Sequence, residues 1–222
     1  MLDRQKIDYV VALTADHGGF DAPERHSEHA YPSASRAPLS LAAPVLSQML
    51  AKQFGWQGAL IENRALGGDY WFTPNVPGNR RAEAAAWLKG ELERQFAGKV
   101  AAVFAKADIA EIPVPTGNPA LWSLAQRVRA SFVPDRSGDI YIALLNGQQP
   151  MPAGIRGYVA THGSPWDYDR RVPILFWRKG MSPFEQPQPV ETVDILPTLA
   201  SLVGLPIDPG SVHQGAVLEV KP

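Results

Sequence analysis

Short apolar runs alternate along this chain with longer stretches in which apolar positions recur every three or four residues. Val10-Val11-Ala12-Leu13-Thr14 is the first run, and its five apolar-rich residues predict a buried strand. Leu41, Val45, Leu46, Met49 and Leu50 keep helical spacing and predict a helix over 39–54, with Ser40 as a possible cap and Gly55 as its end. Two β-rich runs at 59–63 and 70–72 predict strands, with Gly67-Gly68-Asp69 as the turn of a hairpin. A second helix is predicted over 79–96, capped by Asn79 and closed by Gly98, followed by a strand over 100–104. Pro119 opens a third helical pattern that reaches Phe132, with Arg127 and Arg129 off its apolar face and read as solvated. Strands over 139–145 and 172–177 and a helix over 193–203, capped by Thr192 and carrying Pro197, complete the pattern.

Helices and strands alternate throughout, which predicts an α/β fold. No internal repeat or low-complexity tract interrupts the alternation. Residues 20–38 lack periodicity and read as a polar loop; 147–154 is a loop rich in Pro and Gly. Tyr70-Trp71-Phe72 reads as core packing, with an aromatic binding surface as the alternative.

With 222 residues the chain is long enough for one domain with a sizeable core. The net charge of −1 gives no sign of nucleic acid or an anionic membrane as a partner. No apolar run approaches the ~20 residues of a membrane span. Arg4 and Lys6 precede the first apolar run, but that run is short and Asp8 interrupts its approach, so no signal peptide is read there. A strand so close to residue 1 suggests that further sequence once preceded it. The absence of cysteine restricts any metal to His, Asp, Glu or hydroxyl ligands.

Candidate chemistry begins at the end of the first run. Asp16 and His17 form a carboxylate–imidazole pair that suits zinc, and Gly18 and Gly19 permit the backbone to turn after them. The alternative is a plain turn. His26 and His29 in His-Ser-Glu-His read as part of a solvated loop, or as a loop on the substrate side of a metal. A second His-Gly step occurs in Thr161-His162-Gly163-Ser164, followed by Asp169-Arg170-Arg171-Val172-Pro173.

Together these motifs resemble the alkaline phosphatase superfamily, in particular its zinc-dependent alkaline phosphatases related to nucleotide pyrophosphatase/phosphodiesterases. Thr14-Ala15-Asp16-His17-Gly18-Gly19 looks like the second-zinc motif of that branch, and 161–173 looks like its late His-Gly motif. Val193-Asp194-Ile195-Leu196-Pro197-Thr198-Leu199 looks like the helix near the family's C-terminus, and Arg136-Ser137-Gly138-Asp139-Ile140 like its strand start after the cap. The resemblance implies an alkaline phosphatase-like three-layer sandwich, incomplete at the N-terminal side. Residues 1–222 would be the C-terminal part of one such domain, with a cap-like insertion at about 65–150.

By the same resemblance, two zinc ions serve hydrolysis of phosphate monoesters. Asp16 and His17 would ligate the ion that holds the nucleophile, His162 the other, and Asp169 would orient the His162 ring or, alternatively, cap the strand–loop junction. The full-length parent would be periplasmic or secreted. The departures are as informative as the matches. The family's nucleophile and its remaining ligands precede the Asp-His-Gly motif, and the fifteen residues before Asp16 offer neither. The isolated chain is therefore expected to be inactive, with self-association or a missing N-terminal half as its partner. A phosphodiesterase, a sulfatase and a non-catalytic metal-binding remnant are the alternatives.

Overall fold

The computed structural model describes residues 2–29, 31–152, 159–208 and 215–220. In chain order the strands among them are β1 (Val10–Leu13), β2 (Ser35–Arg36), β3 (Ile61–Glu62), β4 (Gly68–Phe72), β5 (Val100–Ala105), β6 (Ile140–Leu144), β7 (Gln148–Gln149) and β8 (Leu175–Arg178). The helices are α1 (Pro23–Ser27), α2 (Ala43–Phe54), α3 (Arg81–Gln95), α4 (Lys106–Glu111), α5 (Leu124–Ala130), α6 (Asp167–Arg170) and α7 (Ile195–Val203). None of them is long and apolar enough to cross a membrane. The chain divides into two compact units. One contains residues 2–16, 115–122 and 172–220; the other contains 17–114 and 123–171.

The larger unit is built on a sheet of order β3-β4-β6-β5. Every pairing in it is antiparallel. The element mix is α/β, as expected. β3 and β4 form the expected hairpin, since the five residues that join them are too few for a parallel crossover. Alternate residues Tyr70 and Phe72 of β4, and Ile140 and Ile142 of β6, turn to one face, where α2 and α3 add Leu46, Leu50, Leu88 and Leu92 to a single buried cluster. Tyr70 and Phe72 are thus core, while Trp71 between them points out and its indole N–H donates to the Arg136 carbonyl at 2.9 Å. Tyr70 reaches through the core so that its hydroxyl donates to the Leu41 carbonyl at 2.8 Å, and burial pushes its pKa up.

Helix boundaries differ from expectation where proline or a side-chain cap intervenes. α2 starts at Ala43 rather than 39, because residues 39–41 form a 3-10 turn and Pro44 sits in the first helical turn. α3 likewise follows a 3-10 turn, so Asn79 is not its cap. The pattern over 119–132 is not one helix. α5 begins after Ser123, whose hydroxyl accepts from the Gln126 amide at 3.3 Å while the Gln126 side chain accepts from the Ser123 N–H. Nor are the arginines of α5 solvated: Arg127 lies 3.3 Å from Asp167, and Arg129 donates to the Ile112 carbonyl at 2.9 Å. The polar loop at 20–38 contains α1 and β2, and the 147–154 loop contains β7, which runs parallel to β2.

The smaller unit is a two-stranded antiparallel ribbon, β1 against β8, with α7 packed on β1. β1 is not the buried strand expected. Val11, Leu13, Leu175 and Trp177 face the same way, at Val11↔Trp177 and Leu13↔Leu175, and Leu13 is 60% exposed. Here the motif over 193–199 has a structural task. The Asp194 carboxylate accepts from the Glu191 and Ala216 amides at 2.9 and 2.8 Å, and Thr198 Oγ1 accepts from Leu218 N–H at 3.0 Å. Thr192 caps nothing by its side chain, and α7 starts after Asp194. Pro197 fits because the first-turn amides of a helix have no intrahelical acceptor to lose.

Candidate functional site

His17 and His162, separated by most of the chain, come together in the larger unit. Their imidazoles stack with centroids 3.4 Å apart and planes 9° from parallel. His17 follows the last residue of β1's unit in sequence, and its Nδ1 lies 2.7 Å from the Gly18 carbonyl. A carbonyl only accepts, so the contact places the proton on Nδ1. His162 is exposed, and Gly163 after it takes φ +101°, which lets the chain reverse there.

Two loops carry this stack, and they are sewn together. The Gly18 amide donates to the Asp169 carbonyl at 2.7 Å. A Cβ on Gly18 would lie 2.1 Å from the Tyr168 carbonyl oxygen, so residue 18 is glycine for close approach. The expected positive φ is not its reason, since neither Gly18 nor Gly19 adopts one. Phe20 packs its ring on Tyr168 and His26, at 4.6 and 4.4 Å between centroids. The Trp166 indole donates to the Leu144 carbonyl at 3.0 Å, which anchors the second loop on the end of β6.

Asp169 is buried in α6. Its Oδ2 accepts from the Ser164 amide at 2.8 Å, while its Oδ1 is enclosed without a hydrogen-bond partner. An orphaned carboxylate oxygen in a site is a point that a cation or a donor would satisfy. Asp16 is exposed. His26 is drawn onto Phe20, and His29 is exposed. His213, the remaining histidine, lies outside the described residues.

The stacked rings bear on metal chemistry directly. An imidazole binds a metal in its own plane, at about 2 Å for zinc. No single ion lies in two parallel planes 3.4 Å apart, so the stack suits two ions side by side, one per ring. Two-metal hydrolytic sites place their ions at about that distance, roughly 3.5–4 Å. The donor types and the spacing of the two rings therefore fit. The ligand number does not close: among the described residues no group of three or more His, Asp and Glu side chains is placed to hold one metal.

A cavity of about 1150 Å³ opens beside the stack in the same unit. His162 and Asp169 form part of its wall, and Trp71, Tyr141, Glu62 and Arg64 line it further along. The lining mixes aromatic surface with a few polar groups, as ligand sites do.

No family model matches the chain. Curated relatives do. Alkaline phosphatase PhoK of Sphingomonas sp is 48% identical over 212 residues, covering 93% of this chain and 37% of the relative. Alkaline phosphatase PhoD of Zymomonas mobilis is 43% identical over 227 residues, covering 100% of this chain and 38% of the relative. Alkaline phosphatase PafA of Elizabethkingia meningoseptica is 25% identical over 211 residues. Among solved structures, wild-type PafA superposes with a TM-score of 0.74 at 24% identity, covering 96% of this chain and 39% of PafA. A PafA mutant gives a TM-score of 0.73. At that identity the superposition establishes a shared mixed α/β fold. The chain spans less than two-fifths of the length of the relatives it matches.

Proposed function

We propose, for a chain that belongs to the alkaline phosphatase family of PhoK, PhoD and PafA, that it supplies one part of a zinc-dependent site hydrolysing phosphate monoesters. The observation that carries this reading is the His17–His162 stack, formed by the two His-Gly motifs at a spacing suited to a pair of ions. His17 would take a metal through Nε2, with Asp16 beside it in sequence on the same ion. His162 would hold the other ion. Asp169 would steady the His162 loop through Ser164, its Oδ1 buried without a hydrogen-bond partner.

Zinc supplies charge stabilisation for the attacking and departing oxygens of an in-line displacement. The chain's own residues hold the metal-binding rings parallel, exclude water from the Asp169 side of the loop, and offer the neighbouring cavity to the organic part of the ester. The nucleophile and the remaining ligands would come from the portion of a phosphatase domain that these 222 residues do not span. In that domain, a three-layer sandwich, residues of about 65–150 would be the cap-like insertion. Alone, the chain would turn over phosphate esters negligibly.

The experiment is zinc content and turnover of p-nitrophenyl phosphate, for this chain and for a full-length phosphatase containing it, with His17→Ala and His162→Ala in each. The reading expects zinc and turnover in the full-length protein, both lost in each variant, and little of either in the isolated chain. Full-length protein that keeps zinc and turnover in both variants defeats it. A diester or sulfate ester preferred by the full-length protein replaces the substrate class. A non-catalytic metal-binding remnant is the second reading, favoured by the unassembled ligand set. Tight zinc in the isolated chain with no turnover by any longer form would select it.

A further inference from the structure

Gln149 is 2% exposed, and its side chain touches both loops that carry the stacked histidines. Its Nε2 donates to the Phe20 carbonyl at 2.8 Å and to the Thr161 carbonyl at 3.3 Å. Its Oε1 accepts from the Thr161 amide at 3.1 Å. Two carbonyls and one N–H around one carboxamide leave a single way round for the amide group. Both donors and one acceptor of the side chain are thereby engaged inside the protein, at positions three residues after His17 and one residue before His162.

The base of this clamp is fixed by backbone pairing. Gln149 is the last residue of β7, which pairs with β2 at Arg36↔Gln149, and its carbonyl accepts from the Ala37 amide at 2.8 Å. Pro150 follows, and its carbonyl accepts from the Leu66 amide at 2.9 Å, tying the next residue to the β3–β4 connection. The Phe20 and Thr161 loops share no sheet register with each other. Among the described residues this side chain acts alongside the Gly18–Asp169 bond, the ring packing around Phe20, and Arg36, which pairs with Glu24 and donates to the Val159 carbonyl at 3.0 Å.

We infer that Gln149 is a positioning residue: its buried carboxamide sets the register between the His17 and His162 loops and so holds the two imidazoles face to face. Its functional weight rests on the phosphatase reading above, since ring spacing there sets the spacing of two ions. The geometry itself can be tested without any turnover. A merely structural glutamine would lower stability when replaced and leave the rings stacked in the protein that remains folded.

The test is two-dimensional NMR of the histidine rings in the intact chain. In the unaltered protein, stacked His17 and His162 ring protons are displaced upfield by each other, and His162→Ala removes the displacement from His17. Gln149→Met keeps length and bulk without hydrogen bonds; Gln149→Glu keeps the acceptor for Thr161 but sets a carboxylate against two carbonyls. Both are expected to lose the displacement at both rings. Val103→Ala, a core truncation remote from the loops, is expected to lower the melting temperature and keep it. An unaltered protein with no displacement, or a folded Gln149→Met with the displacement intact, overturns the inference. Should neither Gln149 variant fold, the side-chain amide protons of Gln149 in the unaltered protein decide. Exchange as slow as core backbone amides supports the clamp, and exchange as fast as exposed Gln53 overturns it. Failure of the phosphatase reading would appear only in the zinc and turnover measurements.

Discussion

The two units of this chain solve the burial problem differently. The larger one encloses its own core: Leu46, Leu88, Leu92 and Ile140 have no exposed surface, and two helices cover one face of a four-stranded sheet. The smaller one covers only one side of its ribbon. α7 lies on β1, while Val11, Leu13, Leu175 and Trp177 present a continuous apolar face. A two-stranded ribbon is marginal by itself, and both of its strands are edges. The lesson is that apolar content does not locate a core; a second layer does.

The largest effect is expected in the closed core. Leu88→Ala should cost about 2–5 kcal/mol in urea unfolding, as truncations at buried leucines do. Leu13→Ala on the open face should change the same measurement by about 0.5 kcal/mol or less. Equal costs would mean that the ribbon face is covered in solution, and the contrast between the units would vanish.

Next in size is Gly18→Ala. The new methyl meets the Tyr168 backbone, which cannot swing aside as a side chain would, so overpacking of about 1–3 kcal/mol is expected. Gly19→Ala, with nothing within 4 Å, is the control for melting temperature. If both behave alike, the site loops are not held as closely as the core.

A smaller effect on folding, but a clear one on assembly, is expected from Leu175→Lys. Sedimentation should show less self-association than the unaltered chain, because a charge on the apolar face discourages edge and face pairing. Unchanged self-association would place the contact elsewhere and make the open face irrelevant to it.

The smallest effect concerns Asp69, in the larger unit. Burial holds its carboxyl above the ordinary aspartate value, partly opposed by the Gly138 amide that donates to it at 2.6 Å. The folded state therefore binds this proton more readily than the unfolded chain. That contribution favours folding at low pH and is lost as pH rises from the unfolded value of 3.8 through the raised folded one. Asp69→Asn keeps the acceptor and removes the charge, so it should slightly raise the melting temperature at pH 7 and not at pH 3. A loss of stability at pH 7 would reverse the sign.

Much of the candidate site was legible because its candidate residues sit in contiguous motifs. Asp16-His17-Gly18-Gly19 and Thr161-His162-Gly163-Ser164 can be read directly, and the relatives bear out the family they suggested. The clamp at Gln149 was not legible. Its only signal was a pair of glutamines between Leu145 and Met151, in a stretch that reads as a loop. Arg127 was misread for a related reason. A helical position off the apolar stripe looks solvated until another element, here the Asp167 turn, is laid across it.

The sequence by itself determined the strands β3 to β6 and the helices α2, α3 and α7 with shifted ends, the hairpin at β3–β4, the core place of Tyr70 and Phe72, and the residues that carry candidate chemistry. These follow from period, turn residues and donor type, all of which are local. Only the tertiary structure decided that β4 and β5 both pair antiparallel with β6, that β1 lies half exposed, that Gly18 is needed for space, and that two histidines 145 positions apart stack face to face. Those outcomes depend on which segments meet, and contacts between distant segments leave almost no trace in the residues next to them.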